Sequence, residues 1–177
     1  MMMKPAVQVR AALETDLPAV LAIYNEVIRT STAVYALEPS TLEERLSWYR
    51  ARIAGGHPVL VAVARDGIAG FASFGEWRGA WGGYRYTVEH SVHVRSDARG
   101  GGVGTALLEQ LFPLALERGK HVMLGGVDAA NAGSIRFHQR LGFSQVARFP
   151  EVGHKFGRWL DLVFMQRFLD PPATPRD

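Results

Sequence analysis

Two periods of apolar residues run along this chain. Between 17 and 28, Leu17, Val20, Leu21, Tyr24, Val27 and Ile28 recur every three or four positions, which predicts a helix capped by Thr15 with Asp16 in its first turn. Ser40-Thr41-Leu42-Glu43 has the form of a capping box and opens a second helix, which Gly55-Gly56 stops. Short apolar runs at 7–13, 58–64 and 68–74 read as strands, the last two joined through the hairpin signal Asp66-Gly67. An aromatic loop at 76–86 leads into a strand at 88–94. A helix at 105–118 follows, ended by Gly119, with Pro113 predicting a bend. The remaining pattern predicts a strand at 121–127, a helix at 132–141, and strands at 143–149 and 159–168, with Trp159 in the core. This βααβββαβαββ order predicts one α/β domain (α+β, with a mixed sheet) over residues 7–169. Residues 1–6 read as a flexible N-terminus, and residues 170–177, with three prolines, as a disordered tail.

Composition narrows the function. The net charge of +3 comes from 20 basic and 17 acidic residues interspersed along the chain, so no nucleic-acid surface is indicated. No run approaches the ~20 apolar residues of a membrane span, and Met1-Met2-Met3-Lys4-Pro5 lacks the apolar core of a signal peptide. There is no cysteine, which excludes disulfides, thiolate metal sites and a cysteine acyl-enzyme, and fits a cytoplasmic protein. The six histidines show no paired metal-ligand spacing; His90 and His93, three apart on a strand, point to opposite faces. No metal is expected.

The chemistry concentrates in Arg99-Gly100-Gly101-Gly102-Val103-Gly104-Thr105, between a strand and a helix. A glycine turn feeding a helix N-terminus aims several backbone N–H groups at one spot, with the helix dipole behind them, and so binds phosphate. Arg99 adds a charged fork. The nucleoside-triphosphate loop is excluded because Gly104-Thr105-Ala106 has no lysine. The dinucleotide fingerprint lacks its third glycine, where Leu107 stands, although Asp128 could mimic the ribose-binding acid. A plain turn does not require three consecutive glycines and their conformational entropy.

The Arg-x-x-Gly-x-Gly spacing resembles the coenzyme A loop of the GNAT N-acetyltransferases. Asn131-Ala132-Gly133-Ser134-Ile135-Arg136-Phe137-His138-Gln139-Arg140-Leu141-Gly142-Phe143 resembles the family's second motif. Four more blocks extend the likeness over nearly the whole chain: Ile23-Tyr24-Asn25, Phe74-Gly75-Glu76-Trp77-Arg78, Thr87-Val88-Glu89-His90-Ser91-Val92, and Lys155-Phe156-Gly157-Arg158-Trp159-Leu160-Asp161-Leu162. Together they resemble the branch that acetylates methionine sulfone, methionine sulfoximine and phosphinothricin. The resemblance implies a twisted mixed sheet with helices on both faces and acetyl-CoA as co-substrate. It also implies a ternary complex in which the amine attacks the thioester directly, and a homodimer.

The resemblance also distributes roles. The backbone of Val92, His93 and Val94 would pair with the pantetheine arm, the loop from Arg99 to Thr105 would hold the pyrophosphate, and Asn131 and Ser134 would hydrogen-bond the coenzyme. Glu89 is the candidate general base, acting through water; otherwise it is a solvent-facing strand carboxylate or an ion-pair partner. His138 stands where many relatives carry a tyrosine that protonates the departing thiolate; otherwise it is a helix-surface histidine packing on the coenzyme. The loop Trp77-Arg78-Gly79-Ala80-Trp81-Gly82-Gly83-Tyr84-Arg85-Tyr86 has the composition of a base-stacking platform or a hinge. A small amino acid needs a cation for its carboxylate and an apolar wall, which favours Arg78, Arg85 and Tyr84 as substrate residues. Phosphinothricin-acetylating relatives carry histidine where this chain has Phe156, so Phe156 points to a neutral sulfone or sulfoximine. Two alternatives stay open at this level: an acetyl-CoA sensor without turnover, and an N-acetyltransferase of peptide or protein amines.

Overall fold

The structure, a computed structural model, describes residues 7–169; the expected flexible N-terminus and disordered tail lie outside the described residues. In chain order the elements are β1 (Gln8–Ala11), α1 (Leu17–Thr30), α2 (Leu42–Ala54), β2 (Val59–Ala64), β3 (Gly67–Glu76), β4 (Thr87–Val94), α3 (Val103–Glu117), β5 (Val122–Asp128), α4 (Ala132–Arg140), β6 (Ser144–Lys155) and β7 (Arg158–Phe168). Strand order is β1-β2-β3-β4-β5-β7-β6. β4 runs parallel to β5, while β1/β2, β2/β3, β5/β7 and β6/β7 are antiparallel, so the sheet is mixed, as the element order predicts. The chain forms two compact units, residues 7–74 with 91–111 and residues 75–90 with 112–169. Each change of unit falls inside β3, β4 or α3, which is why the sequence shows no linker.

In the first unit, Leu17, Val20 and Ile23 of α1 pack with Ala12, Val59, Val61 and Phe71, and Tyr24, Leu46 and Trp48 cover the cluster. Ile23 rather than Leu21 completes the buried stripe of α1. Thr15 does not cap this helix. A 3₁₀ turn, Glu14–Asp16, precedes it, and the Asp16 carboxylate accepts the Leu13 N–H at 2.8 Å while Arg10 grips it at 2.7 Å. The α2 capping box sits one residue later than the sequence pattern suggests: Thr41 Oγ1 accepts from Glu44 N at 3.2 Å, and Glu44 Oε2 accepts from Thr41 N at 2.8 Å. Ser40 is engaged elsewhere, exchanging two 2.8 Å backbone bonds with the Asn25 side chain. The β2–β3 hairpin also turns one residue early. Ala64 pairs with Gly67, which has φ +115° and lies in the strand.

In the second unit, β5, β7 and β6 pair in that order. β6 and β7 form an arm that extends well past the predicted 143–149, through Lys155. At the predicted end the strand does not stop; the register only shifts between Phe149 and Gly153. Asp161 supports the irregular stretch, accepting Glu151 N at 2.9 Å and Arg148 at 2.6 Å. The arm closes in a two-residue turn, Phe156-Gly157, with φ of 52° and 73°, the signs of a type I′ hairpin. Trp159 is not in the core. Gly153 pairs with Leu160 on one face, and His154 pairs with Trp159 on the other, so Trp159 is 65% exposed against the His154 ring while Lys155 is only 3% exposed. α3 runs through Pro113 as one helix.

Candidate active site

In the first unit, the chain leaves β4 through Arg95, which pairs with Asp97 at 2.6 Å and with Asp66, and donates its N–H to Ala69 O at 2.9 Å. This braces the approach to the glycine loop. Gly100 and Gly102 take φ of 77° and 84°, so two of the four loop glycines need left-handed freedom; Gly104 already lies in α3. Gly102 O accepts the Ala106 N–H at 3.0 Å, which makes Gly102 the residue before the first helical turn. The N–H groups of Val103, Gly104 and Thr105 then have no acceptor inside the helix, and no acidic residue stands in the first turn. Val103 is a buried anchor, and exposed Arg99 lies against the Val94 carbonyl at 3.3 Å. Val92, His93 and Val94 complete β4 before this loop. A Cβ on Gly70 would come within 2.8 Å of the His93 carbonyl, so glycine is required there. The His93 ring is packed by Phe71 at 5.3 Å and Tyr24 at 5.8 Å. Burial, with the positive charges of Arg45 and Arg99, pushes its pKa down to about 4.

In the second unit, Glu89 and His90 are neighbours on β4 and point to opposite faces. Across from them on β5 stand two glycines. A Cβ on Gly126 would lie 3.4 Å from Glu89 Oε1, and Gly126 is exposed, so the carboxylate sits over an open stretch of β5 backbone. A Cβ on Gly125 would lie 2.6 Å from His90 Nε2 and 3.1 Å from His138 Nε2. Each glycine makes room for a different side-chain group. The register of β4 with β5 covers Thr87 to Glu89.

His138 is not on the helix surface. It is 3% exposed, beside His90 at 7%, with the rings stacked 5.1 Å apart and Phe143 edge-on to both. Its Nδ1 lies 2.8 Å from the Ser134 carbonyl, which can only accept, so Nδ1 carries the hydrogen. In the neutral ring Nε2 is then an acceptor, and at 3.1 Å it takes the hydrogen of His90 Nε2. Burial lowers the pKa of His138, which favours its neutral ring. Asn131 caps α4, its Oδ1 accepting Ser134 N at 3.0 Å; the Ser134 hydroxyl is 3.5 Å from His138 Nδ1. Asp128 is buried, and its carboxylate accepts Ala130 N at 3.0 Å, turned into the fold rather than out toward a ribose.

The aromatic loop is held at both ends. Lys120 Nζ donates to Glu76 Oε1 at 2.7 Å and to the Arg85 carbonyl at 2.6 Å. Trp77 and Tyr84 meet edge to face at 5.0 Å, and the Arg78 guanidinium lies 5.7 Å and 5.4 Å from their rings, with the Arg78 backbone at φ 51°. The loop thus brings Arg78 and Tyr84 together. Arg85 is directed elsewhere, over Tyr86 at 4.5 Å and toward the Gly82 carbonyl at 3.2 Å. Phe156 is 57% exposed at the tip of the β6–β7 arm, with the Lys155 ammonium 5.0 Å from its ring. Sequence reasoning missed His90, Gly125, Gly126 and Lys120. The paired glycines inside a strand were the available signal, since such residues mark a close approach. Among the described residues no group of three or more His, Asp or Glu side chains could hold a metal, and no helix is long and apolar enough to cross a membrane.

Comparison with known proteins gives the same answer as the loop and the second motif. The model of the Acetyltransferase (GNAT) family matches residues 20–143. An L-methionine sulfoximine/L-methionine sulfone acetyltransferase of Pseudomonas aeruginosa is 47% identical over 167 residues, 94% of this chain and 96% of the relative. A phosphinothricin N-acetyltransferase of Streptomyces coelicolor is 35% identical over 165 residues, 91% of this chain and 95% of the relative. A Salmonella typhimurium protein solved with its cofactor acetyl-CoA superposes with a TM-score of 0.92 at 46% identity, covering 97% of this chain and 98% of that one. The chain therefore belongs to the GNAT acetyltransferase family.

Proposed function

We propose that this protein transfers the acetyl group of acetyl-CoA to the α-amino group of a small amino acid. L-methionine sulfone and L-methionine sulfoximine would be better acceptors than L-phosphinothricin. The observation that carries the acceptor class is the 47% identity, over nearly the full length of both chains, with an enzyme named for those substrates. The first-turn N–H groups of α3, with Arg99, suit the coenzyme's pyrophosphate. The pantetheine arm would lie along Val92, His93 and Val94, past the point where the register with β5 ends at Glu89. Asn131 and Ser134 contribute from the start of α4.

The chemistry follows from the acceptor. The free amine attacks the thioester carbonyl carbon, and the carbonyl oxygen becomes an oxyanion. Collapse of that intermediate breaks the carbon–sulfur bond as the attacking nitrogen sheds its second proton, and the expelled coenzyme A thiolate takes up a proton from solvent. Glu89, half-buried over Gly126, takes the ammonium proton through water. With an amine pKa near ~8, only modest help is needed at neutral pH. We assign His138 to positioning rather than to acid catalysis. Its Nδ1–H is committed to the Ser134 carbonyl and its Nε2 to His90, so the pair ties α4 to β4. Arg78 and Tyr84 are the residues we assign to the acceptor's carboxylate and chain; Arg85, turned over Tyr86, is not among them. Phe156, at the end of an arm with exposed Val152 and Trp159, would enter the active site of a second copy, making the enzyme a homodimer. The cysteine-free composition suits a cytoplasmic location.

Initial-rate kinetics with acetyl-CoA and each of the three acceptors tests the proposal. The sulfone and sulfoximine should show the higher kcat/KM by roughly 10- to 200-fold, the range expected of pocket changes of this size. Phosphinothricin emerging as the best acceptor would refute the substrate order, and no turnover of any amino acid would refute the function.

A further inference from the structure

The sheet face that carries Glu89 opens at one residue. Gly126 sits inside β5 with Gly125 and Val127 buried on either side of it, yet it is itself exposed. The pairing of β5 with β4 has ended at Leu124, and Phe164 of β7 stands directly across from Gly126. A Cβ at this position would meet three side chains across the fold: Glu89 Oε1 at 3.4 Å, Leu162 Cδ1 at 3.4 Å and Phe164 Cε1 at 3.8 Å. A carboxylate and a half-buried apolar surface thus border the same exposed glycine. The Phe164 ring is held edge-on by Phe149 at 5.9 Å and by Trp77 at 6.5 Å. Trp77 in turn meets Tyr84 at 5.0 Å, with the Arg78 guanidinium 5.7 Å from its ring. Phe164 therefore links the carboxylate to the aromatic loop, and all of these residues belong to the second unit.

An amine that gives its proton to Glu89 through one water lies within about 5.5 Å of the carboxylate, the length of two hydrogen bonds. Its carbon chain then starts beside Gly126, where the bordering apolar side chains are Leu162 and Phe164. We propose that Phe164, with Leu162, is the floor on which the acceptor's side chain lies, and that Phe164 sets which side chains are taken. This rests on the amino-acid acceptor reading above and deepens it. Methylene and methyl groups gain by covering such a surface. An anion does not. Neither side chain donates a hydrogen bond, the face of an aromatic ring is electron-rich, and the charged member of the trio around Gly126 is itself negative. A neutral sulfone or sulfoximine loses less hydration there than a phosphinate, which would stand without a partner near Glu89. The floor thus favours the same order of acceptors as Phe156 does, but from the chain's own sheet rather than from the tip of an arm.

The test is kcat/KM for L-methionine sulfone and for L-phosphinothricin in wild type, Phe164→Leu and Phe164→Gln, with the KM for acetyl-CoA and the thermal midpoint recorded for each. Wild type should favour the sulfone by roughly 10- to 200-fold. Phe164→Gln, which puts an uncharged donor on the floor, should cut that ratio about tenfold, losing on the sulfone and gaining on the phosphinate, with the acetyl-CoA KM unchanged. Phe164→Leu, which keeps the floor apolar, should lower kcat/KM for both acceptors and leave the ratio within a few-fold of wild type. If Phe164→Gln does not fold, the ratio in Leu162→Gln, on the same floor, decides. A ring with a purely structural role would lower both acceptors equally, so a wild-type ratio in Phe164→Gln overturns the proposal while acetyl transfer stands. A ratio that falls as far in Phe164→Leu as in Phe164→Gln also overturns it, as does a wild type that takes the two acceptors equally. A wild type that acetylates neither removes the reading on which the proposal rests, and the proposal with it.

Discussion

Replacing Gly125 by alanine perturbs the centre of the second unit at a single atom. The new Cβ would sit 2.6 Å from His90 Nε2 and 3.1 Å from His138 Nε2, and the first of these distances cannot be tolerated without movement. Neither ring has room to retreat, because both are buried and Phe143 packs edge-on against each. Overpacking of this kind costs about 1–3 kcal/mol. Separating the rings also breaks the 3.1 Å bond between the two Nε2 atoms, and a buried donor left unsatisfied costs about 1–3 kcal/mol more. Against this, removing a glycine from a strand recovers up to about 1 kcal/mol. The loss wins, with a net destabilisation of about 1–6 kcal/mol. For a protein of this length that lowers the thermal midpoint by roughly 2–24 °C. Urea unfolding at one fixed pH reads the difference directly. Gly126→Ala is the matched control: its Cβ meets Glu89, Leu162 and Phe164 at 3.4 Å or more, ordinary contact distances, and its stability should stay within about 1 kcal/mol of wild type. Equal stability of Gly125→Ala and wild type would refute the argument.

Stability should also depend on pH through His93. Its native pKa of about 4 lies below the ordinary 6.5, so as pH falls the unfolded chain takes up the proton first. The contribution is complete above pH 6.5 and is lost as pH falls toward 4, by up to about 3 kcal/mol. Urea titrations at pH 7.5 and pH 5 should show the fall, His93→Phe should reduce it without abolishing it because His138 shifts the same way, and a pH-independent wild type would contradict the assignment. Gly102→Val forces a β-branched residue to φ near 84° at the entrance to α3 and should raise the acetyl-CoA Kd at least about tenfold, a loss of ~1.4 kcal/mol, while the fold survives. Unchanged affinity by calorimetry would remove the loop from the coenzyme site.

Local features were the most legible in the sequence. The glycine loop, the α1 stripe and the hairpins each depend on neighbours within a few residues, and each formed. Their registers slipped by one where a tertiary partner competed: the Asn25 side chain engages Ser40, so Thr41 becomes the cap, and Asp16 answers to Arg10 and Leu13. Groups joined across long separations were not legible. His90 and His138 meet over 48 residues, and Lys120 reaches Glu76 over 44, with nothing at either end to announce the other. The β6–β7 arm misled in a different way. The sequence pattern ended β6 at 149 and left Trp159 to the core, whereas the strand runs on to Lys155 and its alternation places Trp159 with His154 outside.

Glu89 over Gly126 carries the central claim, and one measurement reaches it most directly: coenzyme A thiol release from acetyl-CoA, with L-methionine sulfone as acceptor, by wild type and Glu89→Gln from pH 6 to 9. The account predicts release by wild type only when the acceptor is present. It predicts a kcat roughly 10²–10⁴-fold lower for the variant at neutral pH, with the gap narrowing as rising pH supplies free amine. Equal kcat for the two proteins across the whole range would contradict it.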